Sequence, residues 1–218
     1  MAKLHLVIAN KNYSSWSLRP WLALAMAGID FDESMILLDT PVMKKQIAEH
    51  SPAGRLPVLH HGKITIWETL AILEYLAETF PAKNFWPKSK SARILARAIS
   101  NEMHAGFSGL RNACPMNLRR PVKPVKLDDA TLRDIARIEE IWRDCRKTYG
   151  KGGKFLFGKF CNADAMFAPV VTRFETYAIP VAEDTKTYMD AVMATKAFQL
   201  WKAAALAETW IVPHDEVD

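Results

Sequence analysis

Between Arg55 and Phe80 the chain sets a proline ahead of a short apolar run, a glycine turn, a second β-branched run, and then an acid and a hydroxyl before a helical stripe. The stretch reads Arg55-Leu56-Pro57-Val58-Leu59-His60-His61-Gly62-Lys63-Ile64-Thr65-Ile66-Trp67-Glu68-Thr69, after which Leu70, Leu73, Leu76 and Phe80 recur on one side. That order predicts strand, turn, strand, helix. Proline has no N–H, so at the head of an apolar strand it requires a bend, for which a cis bond is one solution. At such a bend the main chain of Leu56 is free to pair with an extended peptide as an added strand would. Glu68 and Thr69 fall where the unpaired N–H groups of a first helical turn point at solvent, a site suited to a carboxylate. Thr69 offers a hydroxyl and an N–H, and Glu68 can hold an ammonium, so a single α-amino acid head group would satisfy both. The same pair also reads as an ordinary helix cap.

The flanking sequence completes a small α/β unit. Leu4 to Ala9 predicts a strand, and a helix beginning near Ser15 to Ser17 runs through Trp21, Leu22, Leu24 and Ala25 to a stop at Gly28. Pro20 is compatible with the first turn of that helix, which draws the expected start towards it. Phe31 to Leu38 predicts a second strand and Val42 to His50 a short polar helix. The resulting βαβ then ββα order over residues 1–80 is that of a thioredoxin-like domain with a mixed four-stranded sheet. Pro81 to Pro87 reads as a linker, and residues 88–218 as an all-α domain. Ser91 to about Asn112 predicts one helix, with Leu95, Ile99, Met103, Phe107 and Leu110 on a stripe. A proline-rich loop follows from Pro115 to Pro124. Asp128 to Tyr149 carries Leu132, Ile135, Ile138, Trp142 and Cys145 at helical spacing, and Lys151-Gly152-Gly153 ends it. Ala163 to Tyr177 and Thr187 to Ala207 supply two or three further helices.

Leu-Pro before a strand, then Gly, a second strand and Glu68-Thr69-Leu70-Ala71-Ile72 on a helix resembles the glutathione-binding half of the cytosolic glutathione transferases. The resemblance extends over nearly the whole chain. Phe157-Gly158-Lys159-Phe160-Cys161-Asn162-Ala163-Asp164, with Pro169 five residues on, is similar to the family's helix-starting box, except that Cys161 replaces a hydroxyl residue. A thiol is a weak acceptor, so either Asn162 caps instead or this helix start is weaker, and Cys161 is given a structural role. The resemblance implies that glutathione is the co-substrate, bound through Arg55, Leu56, Glu68 and Thr69, with its own sulfur as the reacting group. Arg55 reads equally as a solvated loop charge, and Lys44 and Lys45 are lesser candidates for the glycyl carboxylate. His104, in Glu102-Met103-His104-Ala105-Gly106-Phe107, is similar to a beta-class histidine that approaches the thiol.

The resemblance places the thiolate's partner in Tyr13-Ser14-Ser15-Trp16-Ser17-Leu18-Arg19. Ser-Ser-x-Ser-x-Arg is similar to the zeta class, whose motif falls on Ser14; theta-like spacing selects Ser15, and Tyr13 stays open. Three serines before a helix also read as caps. Lowering a thiol pKa from about 8.5 to about 6.5 requires roughly 2.7 kcal/mol. A hydroxyl bond to charged sulfur supplies about 1.5–3 kcal/mol, and a helix N-terminus about 0.3–1. No cysteine stands at 13–17, which argues against chemistry through a protein–glutathione mixed disulfide. The expected reaction is transfer of the thiolate to a small hydrophobic electrophile, in a pocket between the domains walled by Tyr13, Trp16, Met103, Phe107 and Arg111. The alternatives are a glutathione-dependent cis-trans isomerase of the maleylacetoacetate type, and a non-catalytic binding module of the same fold. Family members are usually homodimers, which is the expectation here.

Charge bears on the choice between these. Residues 1–80 hold seven Lys/Arg against eight Asp/Glu, whereas 83–126 hold ten against Glu102 alone. That field favours an anionic partner, and glutathione is one. The basic segment lacks interleaved aromatics, so nucleic acid is not expected. No apolar run approaches the roughly 18 residues of a membrane span, and the start is too short in apolar residues for a signal peptide. Cys114, Cys145 and Cys161 show no CxxC spacing, so no metal site is expected. A reducing cytoplasm is the expected location.

Overall fold

The computed structural model describes residues 3–217; Met1, Ala2 and Asp218, at the expected domain limits, lie outside the described residues. The first part runs β1 (Leu4–Ala9), α1 (Ser15–Ala27), β2 (Phe31–Ile36), α2 (Met43–His50), β3 (Val58–His61), β4 (Ile64–Trp67) and α3 (Thr69–Thr79). The strands lie in the order β2-β1-β3-β4, with β1 parallel to β2 and antiparallel to β3. This is the mixed four-stranded sheet of a thioredoxin-like domain.

The two-residue period of β1 assigns its side chains to two cores. Leu4, Leu6 and Ile8 join Leu18, Leu22, Ile72, Leu73 and Leu76 beneath α1 and α3. Val7 points the other way, to Ile36, Ile47 and Val58 beneath α2. A one-residue slip would exchange these sets, so burial on both faces holds the register.

The helical domain comprises α4 (Lys90–Ala105), α5 (Ser108–Ala113), α6 (Asp129–Tyr149), α7 (Asn162–Thr176), α8 (Glu183–Met193) and α9 (Lys196–Ala207). Its core is continuous with that beneath α1 and α3, through residues such as Ile99, Trp142, Phe167 and Trp201. The helix expected over Ser91 to Asn112 is two. Gly106 ends α4 and Phe107 turns left-handed at φ +60°, while the Arg111 guanidinium donates to the carbonyls of Met103 and Gly106. These acceptors of the last turn are thereby satisfied, so the break is stable. The stretch Thr187 to Ala207 is likewise broken, where the Thr195 hydroxyl accepts from the Phe198 N–H at 3.2 Å and opens α9. Leu132, expected on the buried stripe of α6, is half exposed at the helix's first turn.

At α7 the box works through its acid. The buried Asp164 carboxylate accepts from the N–H groups of Cys161 at 2.9 Å and Leu156 at 3.0 Å. Asn162 does not cap. Its N–H donates to the Phe85 carbonyl at 2.8 Å and its amide to the Leu73 carbonyl on α3 at 3.1 Å, tying the two domains together.

Candidate functional site

The Leu56–Pro57 bond is cis. Among the described residues Leu56 makes no backbone hydrogen bond, so its peptide groups remain available at the lip of the sheet. β4 then delivers the chain to Glu68, whose φ of +67° and ψ of 126° lie outside the usual regions for a residue with a Cβ. Glu68 precedes the first residue of α3 but makes no side-chain cap, leaving the first-turn N–H groups without that partner. The capping reading of this pair therefore does not describe the structure.

The Thr69 hydroxyl is engaged otherwise. It donates to the Trp16 carbonyl at 3.1 Å, and Thr69 is almost fully buried. The acceptor exists because of Pro20. The structure places this proline inside α1, five residues past its start rather than in the first turn, because the helix begins at Ser15. Lacking an N–H, Pro20 cannot bond the carbonyl four residues back, which is that of Trp16. Thr69 takes up the freed acceptor and thereby fastens the first turn of α1 to the start of α3.

Trp16 is held further by two cations. The guanidinium carbons of Arg19 and Arg111 lie 4.2 Å and 4.8 Å from its ring centroid, and the His104 ring meets it edge-on at 5.1 Å. Arg19 is fully buried, donating from Nε to the Met166 carbonyl at 2.9 Å. Burial, then the charges of Arg111 and Arg173, push its pKa well down from the guanidinium range. Burial also lowers the His104 pKa below the usual imidazole value; Glu68 opposes the shift and Arg19 reinforces it. The His104 Nε2 is 3.9 Å from a Glu68 carboxylate oxygen.

These pieces enclose a cavity of about 300 Å³ lined by Trp16, Arg55, Leu56, Pro57, Glu68, Thr69 and His104. All four residues expected to bind the co-substrate are therefore together. Lys44 and Lys45 are not in the lining; they sit exposed on α2. Ser14 is half-buried and starts α1: its Oγ accepts from the Ser17 N–H at 3.3 Å and donates to the Ser17 Oγ at 2.8 Å. It adjoins the cavity through its neighbours rather than lining it. Ser15 is buried, with its carbonyl accepting from Arg19. Tyr13 faces elsewhere, its hydroxyl donating to Glu216 and accepting from Arg119 at 2.8 Å. Of the pocket walls expected from the sequence, Trp16 lines the cavity, whereas Tyr13, Met103 and Phe107 are buried in packing and Arg111 supports Trp16 from behind. The double guanidinium stack on Trp16 is the feature that sequence reasoning missed. Its only local signal is Arg19, three residues after Trp16 and so on the same side of a helix.

Comparison with known proteins gives four findings. Residues 13–79 match the family model "Glutathione S-transferase, N-terminal domain". Maleylacetoacetate isomerase of Rattus norvegicus is 28% identical over 194 residues, covering 86% of this chain and 87% of that protein. A probable maleylacetoacetate isomerase of Caenorhabditis elegans is 36% identical over 99 residues, 45% of this chain and 46% of the relative, so the alignment spans less than half of that protein. Among solved structures, a glutathione transferase homolog from Burkholderia with bound glutathione superposes with a TM-score of 0.71 at 22% identity, covering 93% of this chain and 98% of that one. At that identity the likeness carries the fold.

Proposed function

We propose that the chain, as a member of the cytosolic glutathione transferase family, binds reduced glutathione at Leu56–Pro57, holds the sulfur as thiolate and transfers it to a small hydrophobic electrophile. The observation that carries this reading is the cavity that unites the unpaired main chain of Leu56, the uncapped start of α3 at Glu68 and Thr69, and Trp16 in the first turn of α1. The cysteinyl backbone pairs with Leu56 as an added strand does. The γ-glutamyl carboxylate takes the first-turn N–H groups of α3, and Glu68 takes its ammonium. Arg55, exposed at the cavity rim, reaches the glycyl end.

Ser14 is the proposed partner of the sulfur. Its Oγ accepts an N–H from the first turn of α1 and has one proton of its own, now directed at Ser17. Rotation about the C–O bond turns that proton to the thiolate while the N–H contact persists. The thiol proton leaves to solvent, the sulfur forms a bond to the acceptor carbon, and the leaving group departs with its electron pair. Arg19 and Arg111, behind Trp16, add positive potential on the same side.

Calorimetry with reduced glutathione, together with turnover of 1-chloro-2,4-dinitrobenzene by wild type and Ser14→Ala, tests this. Loss of the hydroxyl bond, about 1.5–3 kcal/mol, lowers turnover by roughly tenfold or more with glutathione still bound. Unchanged turnover would move the role to Ser15.

A second reading is favoured by the alignment with the rat isomerase over 86% of this chain. In it the same thiolate adds to a cis double bond, permits rotation and leaves again. Conversion of maleylacetoacetate without net loss of glutathione distinguishes it. We further propose that the protein is cytoplasmic, which cell fractionation tests, and a homodimer, which sedimentation measures directly.

A further inference from the structure

Ser14 is reached through a tight turn, Asn10 to Tyr13, in which the Asn10 carbonyl accepts from the N–H groups of Tyr13 at 3.3 Å and Ser14 at 2.8 Å. The N–H groups of Lys11 and Asn12, at the crown of the turn, point out of it. Both go to one carboxylate from the far end of the chain. Glu208, the residue that follows α9, accepts the Lys11 N–H at Oε1, 2.6 Å away, and the Asn12 N–H at Oε2, 3.2 Å away. Two successive N–H groups aimed at one anion form a concave donor pair, and bonds to a charged oxygen are the stronger kind.

The rest of the turn is tied to the helical domain as well. The Trp201 indole on α9 donates to the Lys11 carbonyl at 3.0 Å. The Asn12 amide donates to the Asn117 side chain and its oxygen accepts the Arg119 N–H, each at 2.9 Å. The Arg119 guanidinium donates to the Glu208 carbonyl and to the Tyr13 hydroxyl. These contacts reach a carbonyl or a side chain of the turn, whereas Glu208 holds its N–H groups and does so with a formal charge.

We propose that Glu208 is a positioning residue for the Ser14 hydroxyl. By gripping the crown of the turn it sets where α1 begins, and with it where the Ser14 proton can be directed. The inference rests on the reading of Ser14 as the partner of the sulfur. Ser14 has little hold of its own, since the N–H it accepts from Ser17 is at 3.3 Å, beyond the usual range. A hydroxyl that is to meet a thiolate must be placed to within about 0.5 Å, so the turn that delivers Ser14 decides the bond.

Charge and placement predict opposite signs for the loss of this carboxylate. Removing a nearby negative charge favours a thiolate and lowers its pH midpoint, whereas releasing the turn weakens the serine bond and raises it.

The test is the pH midpoint of thiolate formation in the glutathione complex of the full chain, followed by thiolate absorbance in wild type, Glu208→Gln, Ser14→Ala and the double variant. Glutamine keeps the size of the side chain but turns an amide N–H group toward one of the two backbone donors; thermal melting verifies that the variant is folded. The expected midpoint in Glu208→Gln is higher than in wild type by about half to one unit, with no further rise when the same change is made in Ser14→Ala. Glutathione affinity, measured by calorimetry below the midpoint where the sulfur is protonated throughout, is expected to be unchanged. A midpoint that falls or stays in Glu208→Gln while Ser14→Ala raises it would overturn this proposal alone, as would an equal rise in the Ser14→Ala background. An unmoved midpoint in Ser14→Ala, or no binding of glutathione by wild type, would instead remove the reading of Ser14 and this proposal with it.

Discussion

Glu68 holds a backbone conformation, φ +67° and ψ 126°, that costs a side-chain-bearing residue about 1–3 kcal/mol. The conformation ends β4 and starts α3 without a cap, leaving the helix N-terminus open to the cavity. Glu68→Gly separates the two consequences. Relief of the strain offsets the roughly 0.5–1 kcal/mol of extra chain entropy that glycine carries, so the melting temperature holds or rises. Loss of the carboxylate weakens glutathione binding by about tenfold, measured by calorimetry. The gathering of Glu68, Thr69, Leu56 and Pro57 around one cavity was legible because it depends on neighbours in sequence: a missing N–H, a helix start, an acid beside a hydroxyl. The commitment of the Thr69 hydroxyl to Trp16 was not, because it joins positions 53 residues apart and exists only once Pro20 has freed an acceptor.

Among the elements, the hydrophobic periods gave the strands and helices, and the misreadings fall where a break leaves the period in phase. Phe107 and Leu110 continue the stripe of α4 across the Gly106 interruption, so Ser91 to Asn112 looked like a single helix although Phe107 is left-handed. The start of α7 departs in another way. The weak thiol at Cys161 is compensated by Asp164, whose carboxylate serves two N–H groups inside the core. Burial raises its pKa from the ordinary carboxylate value to about 6. Between that value and its unfolded pKa the native state holds a proton that the unfolded chain has released. Its contribution to stability therefore grows as pH falls through about 6 and levels off near 4. Asp164→Asn removes this term and turns an amide toward the Cys161 N–H. Its deficit relative to wild type is about 1–3 kcal/mol and widens between pH 7.5 and pH 5 in chemical denaturation. Referring the variant to wild type at each pH isolates this term from His60 and His104. Their pKa values are lowered chiefly by burial, so their stabilising contribution has the opposite sense, present above about 6.5 and lost on acidification.

Taken whole, the molecule joins its two domains around three buried or largely buried guanidinium groups: Arg19 on α1, Arg111 on α5 and Arg173 on α7. None forms an ion pair among the described residues, and burial lowers the pKa of each. Their hydrogen bonds go to backbone carbonyls instead, Arg19 to Met166 and Arg173 to Cys114. A cation in such surroundings acts over a longer distance than one in water. Arg19→Met keeps the bulk and removes the charge. The pH midpoint of thiolate formation in the glutathione complex then rises by a few tenths to about one unit, followed by absorbance near 240 nm. An unchanged midpoint would mean that Arg19 serves packing alone. Part of the basic segment that stood out in the sequence is committed to internal contacts. Arg111 supports Trp16, and Arg119 and Arg120 bind carbonyls of the C-terminal segment, while Arg97 pairs with Glu74 at the surface.

The indole of Trp16 is clasped by an arginine from each domain while its other surroundings include the cavity. It is consequently a native optical gauge of the seam: any opening of one domain against the other changes the charge pressed on that ring and so the colour and yield of its emission.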